Sequence, residues 1–188
     1  LIQSGCYGEL PAKASPAFGN LSRTLGHLNE IVMRTLMLLK ADLHEGTMNW
    51  HEFALGDAIV EAHSTVSLFL QLRSQSLRIE YSCPDQIVCA DRHKVIDILV
   101  NLLTNSIKFS GDGQTVILSV QPADNGCVRL TVADTGMGIA PLDLPRVFDR
   151  FFASYDTHHH STGEYKYGRR GVGLGLAIVK RFVELHGG

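Results

Sequence analysis

The sequence predicts an α+β fold, and three observations predict it. Residues 128–133 alternate apolar Val128, Leu130 and Val132 with Arg129, Thr131 and Ala133, the period of a half-buried strand. Residues 115–120 and 127–133 flank Asp124-Asn125-Gly126, an antiparallel hairpin signal. Interleaved with the strands are long stretches whose apolar residues recur at spacings of three and four, the period of helices packed on a core.

The totals suit such a fold. The chain has 188 residues, enough for one ordinary domain and a smaller piece, and 45% of them are hydrophobic, which excludes global disorder. A net charge of −2 with no dense basic patch argues against a nucleic-acid partner. No apolar run reaches bilayer length and no signal peptide opens the chain. Cys6, Cys83, Cys89 and Cys127 are scattered without a Cys-x-x-Cys pair and read as reduced thiols of a cytoplasmic protein.

In order, Leu1 to Leu10 reads as a short helical tail, and Pro11 to Gly19 as a loop. A helix is predicted from Asn20 to Glu45, striped by Leu21, Leu25, Leu28, Ile31, Val32, Leu36, Leu39 and Leu43 and stopped by Gly46. Its stripe is too large for a hairpin to bury alone, which points to a second copy, with packing on the following domain as the other reading. Thr47 to Phe53 reads as an extended link. Leu55 to Leu72 is the next helix, with Ile59, Ala62, Val66, Leu68, Phe69 and Leu72 expected inward. Short strands are expected at Leu77–Tyr81 and Ile87–Ala90, with a turn at Pro84 and Asp85.

Asp91 is a good N-cap for a helix running to Phe109. Apolar residues leave this helix almost no solvated face. Its polar exceptions Asp97, Asn101, Asn105 and Lys108 fall on one stripe. Asn is a poor helix residue, so two of them on a buried helix predict a cleft lining. Their neutral oxygens suit a hard cation such as Mg²⁺, and Lys108 suits phosphate. A polar seam satisfied by neighbouring loops is the plainer reading.

Strand 128–133 stops at Asp134-Thr135-Gly136-Met137-Gly138-Ile139. Asp134 shares the parity of Val128, Leu130 and Val132, so it is expected on the core side as a buried acceptor awaiting a donor such as a purine amine. The glycines let backbone approach a ligand. Pro141 to Phe152 reads as one or two helical turns with aromatic anchors, and Ser154 to Arg170 as a long polar loop, the length of a lid. His158, His159 and His160 in that loop read as solvated, since three adjacent histidines do not converge easily on one ion. Gly171-Val172-Gly173-Leu174-Gly175-Leu176 opens a final helix, and free N–H groups at its start form an anion site for phosphate.

Together these stretches resemble the ATP-binding domain of sensor histidine kinases, within the superfamily shared with gyrase, heat-shock chaperone and mismatch-repair ATPases. Asn101 to Phe109 resembles the N box, Asp134 to Ile139 the first glycine box, Arg146 to Phe152 the F box, and Gly171 to Lys180 the second glycine box. The resemblance spans about residues 50 to 188. It implies a Bergerat-type α/β sandwich, a mixed sheet on helices with ATP between them and a mobile lid from Pro141 to Arg170.

By position, the resemblance implies that Asp134 accepts from the adenine amine, bordered by Gly136, Gly138 and Ile139. Asn105 would ligate Mg²⁺ with Asn101 nearby, Lys108 would approach the phosphates, and Phe109 would flank base or ribose. Phe148 of the F box and Gly171, Gly173, Leu174, Gly175 and Leu176 of the last box complete the implied ATP site. Asn101, Asn105 and Lys108 are the implied catalytic set. Hydrolysing relatives carry a carboxylate at the position of Asn101. Asn101 cannot act as a base, so the site favours transfer over hydrolysis.

The helix at 20–45 resembles the second helix of the family's dimerisation and phosphoacceptor hairpin. This makes residues 1–46 a partial hairpin and 47–188 the catalytic domain. No acceptor box is present. His27 is followed by Leu28 and Asn29 and sits on the second helix, so the acceptor is expected upstream and its position is unknown. The family usually continues past Gly188 into two more strands, so truncation at both ends is expected. The implied partners are a second copy through the hairpin and a response-regulator receiver domain, with membrane contact only through regions outside the chain. Other readings are a non-catalytic adaptor that keeps the fold, and a related ATPase.

Overall fold

The structure is a computed structural model. It describes residues 48–82, 86–152 and 173–188 throughout, and within 19–36 the positions 19–21, 24–26, 28, 31–33, 35 and 36. The chain divides into two compact units, Leu1–Lys40 and Ala41–Gly188. In the first, every described position is helical, and Leu21, Leu25, Leu28, Val32, Met33 and Leu36 are exposed. The rest of the helix predicted to Glu45, with its stop at Gly46, lies outside the described residues, as do His27 and the turn at Pro84 and Asp85.

The second unit runs β1 (Trp50–Ala54), α1 (Leu55–Leu72), β2 (Ser76–Tyr81), β3 (Ile87–Asp91), α2 (Arg92–Phe109), β4 (Thr115–Pro122), β5 (Val128–Ala133) and α3 (Gly175–Leu185). Short 3-10 turns occupy Asp124–Gly126 and Leu144–Arg146. Strands and helices together bear out the α+β expectation. β4 is the centre of a mixed sheet ordered β2-β4-β5, parallel to β2 and antiparallel to β5. The β4–β5 hairpin turns at Asn125, whose φ of 59° is the left-handed conformation that Asn tolerates.

The expected link at Thr47–Phe53 is corrected. Trp50–Ala54 is a strand paired antiparallel with β3, in the register Trp50↔Asp91 to Ala54↔Ile87. Its partner lies 37 residues downstream, so no local pattern announces the pairing.

Register places alternate side chains of each strand on the core face. Leu77, Ile79, Val116, Leu118, Val120, Leu130 and Val132 meet there through the pairs Leu77↔Val116, Ile79↔Leu118, Leu118↔Val132 and Val120↔Leu130. Leu55, Ala58, Ile59, Ala62, Val66 and Leu70 of α1, and Val95, Ile96, Leu99, Leu103 and Ile107 of α2, close the core from above. Leu68 and Leu72, expected inward, are exposed, and Leu70 is buried in their place. Leu70 continues the stripe of Ile59, Ala62 and Val66 at helical spacing, whereas Leu68 falls on the opposite face.

α2 begins on a buried hub. Asp91 is 2% exposed and caps the helix, accepting from Lys94 N at 3.3 Å, while its other oxygen accepts from Lys94 Nζ at 2.6 Å and Asn49 N at 3.1 Å. Its own N–H donates to His186 Nε2 at 3.1 Å, tying α2 to the end of α3. Burial pushes the Asp91 carboxyl up, but the Lys94 and Asn49 hydrogen bonds and the Lys94 charge together hold it below the ordinary carboxylate value. A depressed carboxyl contributes stability that is present above its unfolded pKa of about 3.9 and lost as pH falls through the lower folded value. Asp91→Asn removes that contribution. Urea midpoints should therefore separate wild type from variant near neutrality, begin to approach one another below about pH 4, and meet only below the lower folded value. Curves that stay parallel would contradict the coupling.

Candidate functional site

The site is built on the inward stripe and the C-terminal end of α2. Asp97, Asn101, Asn105 and Lys108 are half-buried on a helix whose neighbouring turns are buried. Asn101 Nδ2 donates to Asp97 O at 2.8 Å, one turn back. Among the described residues the Asn105 side chain makes no hydrogen bond. A half-buried amide left open is uncommon, and its oxygen is of the type that a hard cation takes. Burial pushes the Asp97 carboxyl up, with the nearby His93 and Lys94 charges pulling against it. The Lys108 ammonium lies 4.8 Å from the centre of the Phe109 ring, which is itself exposed.

The turn after β5 is fastened to this helix end. Met137 N donates to Phe109 O at 3.3 Å. A Cβ on Gly136 would stand 2.4 Å from Phe109 O and 2.8 Å from Asp134 Oδ1, so only glycine lets the two backbones come this close. Gly138 then turns the chain with φ +70°, leaving Ile139 exposed.

The expectation of a buried Asp134 is corrected. The residue is exposed at the end of β5. Its Oδ1 accepts from Gly136 N at 2.9 Å, and Oδ2 carries no hydrogen bond among the described residues. Strand parity holds through Ala133. At Asp134 the ladder has ended, so the side chain folds onto its own turn instead of continuing into the core.

A second junction joins the F box to the last glycine box. Phe151 N donates to Gly173 O at 2.9 Å. Gly173 has φ +69°, and a Cβ there would lie 2.4 Å from Phe152 O, so this crossing also needs glycine. The aromatic anchors are partly reassigned. Phe148 and Phe151 are exposed, while Phe152 is half-buried under the Arg146 guanidinium at 4.7 Å. Among the described residues, no side chain caps the start of α3. Leu174 is fully buried, so its side chain packs the core and only its backbone faces the helix start; Gly175 is buried and Leu176 half-buried. α3 packs on α2. Gly171, the expected lid from 154 to 170 and His158 to His160 lie outside the described residues.

Two residues that sequence reasoning passed over, Arg73 and Gln75, are buried against the end of α2. A charged residue in a polar turn reads as solvated, and only the fold shows otherwise. Among the described residues no helix is long and apolar enough to cross a membrane, no group of His, Cys, Asp and Glu is placed to hold a metal, and Cys89 and Cys127 are free and exposed.

The profile of the histidine kinase-, DNA gyrase B- and HSP90-like ATPases matches residues 90–188. The chain is 31% identical over 188 residues to an adaptive-response sensory kinase SasA of Prochlorococcus marinus, covering 94% of this chain and 46% of that protein. Full-length ShkA, solved in complex with AMPPNP, superposes with a TM-score of 0.79 at 25% identity, covering 96% of this chain and 36% of ShkA. Histidine kinase ThkA, solved in complex with the response regulator protein TrrA, shares the fold, with a TM-score of 0.62 at 21% identity over 78% of this chain and 42% of that one. The chain spans less than half the length of the curated relatives it matches.

Proposed function

The chain belongs to the histidine kinase-, DNA gyrase B- and HSP90-like ATPase family, and from that premise we propose that it is the ATP-binding catalytic region of a two-component sensor histidine kinase. It holds ATP so that the γ-phosphate passes to a histidine of the dimerisation hairpin, for relay to an aspartate of a response regulator. The observation that carries this reading is the Phe109 O to Met137 N junction, which sets the amide of Asn105 and the ammonium of Lys108 on one side of a joint and the open carboxylate oxygen of Asp134 on the other. One end recognises a base amine and the other a phosphate chain with its cation, as a nucleoside triphosphate requires.

Asn105 fits Mg²⁺ through its unpaired amide oxygen, and the ion would neutralise charge on the phosphates. Lys108 adds a point charge for the same phosphates. The first N–H groups of α3, which no described side chain caps, suit phosphate oxygens. Asn101 is neutral and already bonded to Asp97 O, so it offers water no base. That favours positioning ATP for transfer over hydrolysing it. The exposed stripe of Leu21, Leu25, Leu28, Val32 and Leu36 supports pairing of two copies through the hairpin. A receiver domain is the proposed recipient, as in the ThkA–TrrA complex, and the cytoplasm the proposed compartment.

The test uses γ-labelled ATP with the full-length protein. Acid-labile, base-stable label on the protein supports histidine transfer. Steady release of free phosphate with no labelled protein would make it an ATPase, and binding without either would make it an adaptor. Asn105→Ala should lower triphosphate affinity in Mg²⁺ about tenfold and leave the affinity measured in EDTA nearly unchanged, since it removes a metal ligand. A normal metal titration would return Asn105 to a structural role.

A further inference from the structure

An α-helix ends with four carbonyls that its own ladder does not satisfy. Many helices meet this need locally, with a glycine in the left-handed conformation. α2 does not: Ser110 follows it with φ −88° and ψ 159°, extended backbone. The carbonyls find partners elsewhere. Ser106 O accepts from Ser110 N at 3.0 Å. Phe109 O accepts from Met137 N. The two between them are held from the far side of the fold. Arg73 donates through one guanidinium nitrogen to Ile107 O and Lys108 O. Gln75 Nε2 donates to Ile107 O at 3.2 Å and to Gly111 O at 2.8 Å. The guanidinium is anchored by Asp112, at 2.8 Å from Nε and 2.7 Å from its other terminal nitrogen. Gly113 N in turn donates to Arg73 O at 3.0 Å.

Arg73 is 7% exposed, and taking a guanidinium out of water is costly unless its donors are used. Here they are used at one helix end and the turn after it, the end that carries Lys108 and Phe109 and against which Gly136 is wedged. Among the described residues Gln75 Oε1 has no partner in the same buried node, so the amide serves carbonyls at the expense of its own acceptor.

We infer that Arg73 and Gln75 are positioning residues for the nucleotide site: the buried clamp they form sets where the last turn of α2 stops, and through the Phe109–Met137 junction it sets the turn that carries Asp134. This rests on the proposed nucleotide reading. The clamp touches no ligand; it acts through Phe109 O and the Met137 amide.

The test measures hydrogen exchange at the Met137 amide and ATP affinity in the same samples. Arg73→Met keeps the length of the side chain and removes its donors. It should speed Met137 exchange at least tenfold and raise the ATP Kd at least fivefold. Arg73→Lys keeps the charge and fewer donors, and should fall between, about threefold on exchange; it decides alone should Arg73→Met not fold. Arg92→Met breaks the 2.8 Å ion pair with Glu61 at the other end of α2 and should leave Met137 exchange unchanged. Folded Arg73 variants with wild-type exchange and affinity would overturn the inference. Equal acceleration by Arg92→Met would overturn it too, because the effect would then be global. A wild-type chain that binds no ATP would sink the nucleotide reading, while the exchange data would still decide the clamp.

Discussion

Asp134→Ala will weaken ATP binding about a hundredfold while leaving the fold intact. Asp134 is exposed, so its removal creates no cavity, and among the described residues the only internal hydrogen bond lost is the one from Gly136 N at 2.9 Å. Its loss from an exposed turn costs about 1 kcal/mol at most. Binding is another matter. A carboxylate accepting from a base amine makes a charge-assisted bond worth about 1.5–3 kcal/mol, or roughly ten- to a hundredfold in affinity. The alanine variant also frees the turn that presents it, which places the effect at the upper end. Asp134→Asn separates the two contributions. Its amide oxygen can still accept from Gly136 N, but its NH₂ is aimed where the base amine would sit. It should therefore weaken ATP about tenfold and narrow the preference for ATP over GTP, whose base presents a carbonyl at that position. Calorimetric titration with both nucleotides decides it. Unchanged ATP affinity in the alanine variant would remove Asp134 from the site.

Legibility in the sequence followed locality. The bounds of α1 and α2 are readable because their periodicity and the Asp91 cap are written within single segments, although the inward face of α1 is misread at Leu68 and Leu72. The β4–β5 hairpin was readable for the same reason, with Asp124-Asn125-Gly126 between two alternating runs. β1 was not, since its partner β3 lies beyond α1 and β2. The polar stripe of α2 announced a sheltered face because Asn and Lys have no reason to interrupt a buried helix unless something polar meets them. Arg73 and Gln75 announced nothing. Their neighbours Ser74 and Ser76 are polar as well, and the carbonyls that need them lie more than thirty residues away. Asp134 shows the same limit in reverse. Its parity predicted burial, but parity describes a strand only while the ladder lasts. The side chain answers instead to the next available donor, Gly136 N.

Within the first glycine box, Gly136→Ala should be far more damaging than Gly138→Ala. The new methyl would stand 2.4 Å from Phe109 O, 2.8 Å from Phe109 C and 2.8 Å from Asp134 Oδ1. Two of these atoms are backbone, and that backbone is the helix end gripped by Arg73 and Gln75, so it has little room to retreat. The turn must move instead. That loses the Met137 N to Phe109 O bond and strains the Gly136 N to Asp134 bond, at about 1 kcal/mol each, on top of an overpacking cost of about 1–3 kcal/mol. The total, roughly 3–5 kcal/mol, corresponds to a fall in Tm of about 6–20 °C for a chain of this size. Gly138→Ala, two residues on, provides the contrast. Among the described residues nothing lies within 4 Å of its added methyl, and the cost is that of the left-handed φ of +70°, about 1–2 kcal/mol. Thermal melts of the two variants should therefore rank Gly136→Ala well below Gly138→Ala, and ATP affinity should follow the same order because the displaced turn carries Asp134. If the two variants melt together, the contact between turn and helix end is looser than its geometry. The junction would then not be what holds the two halves of the site in register.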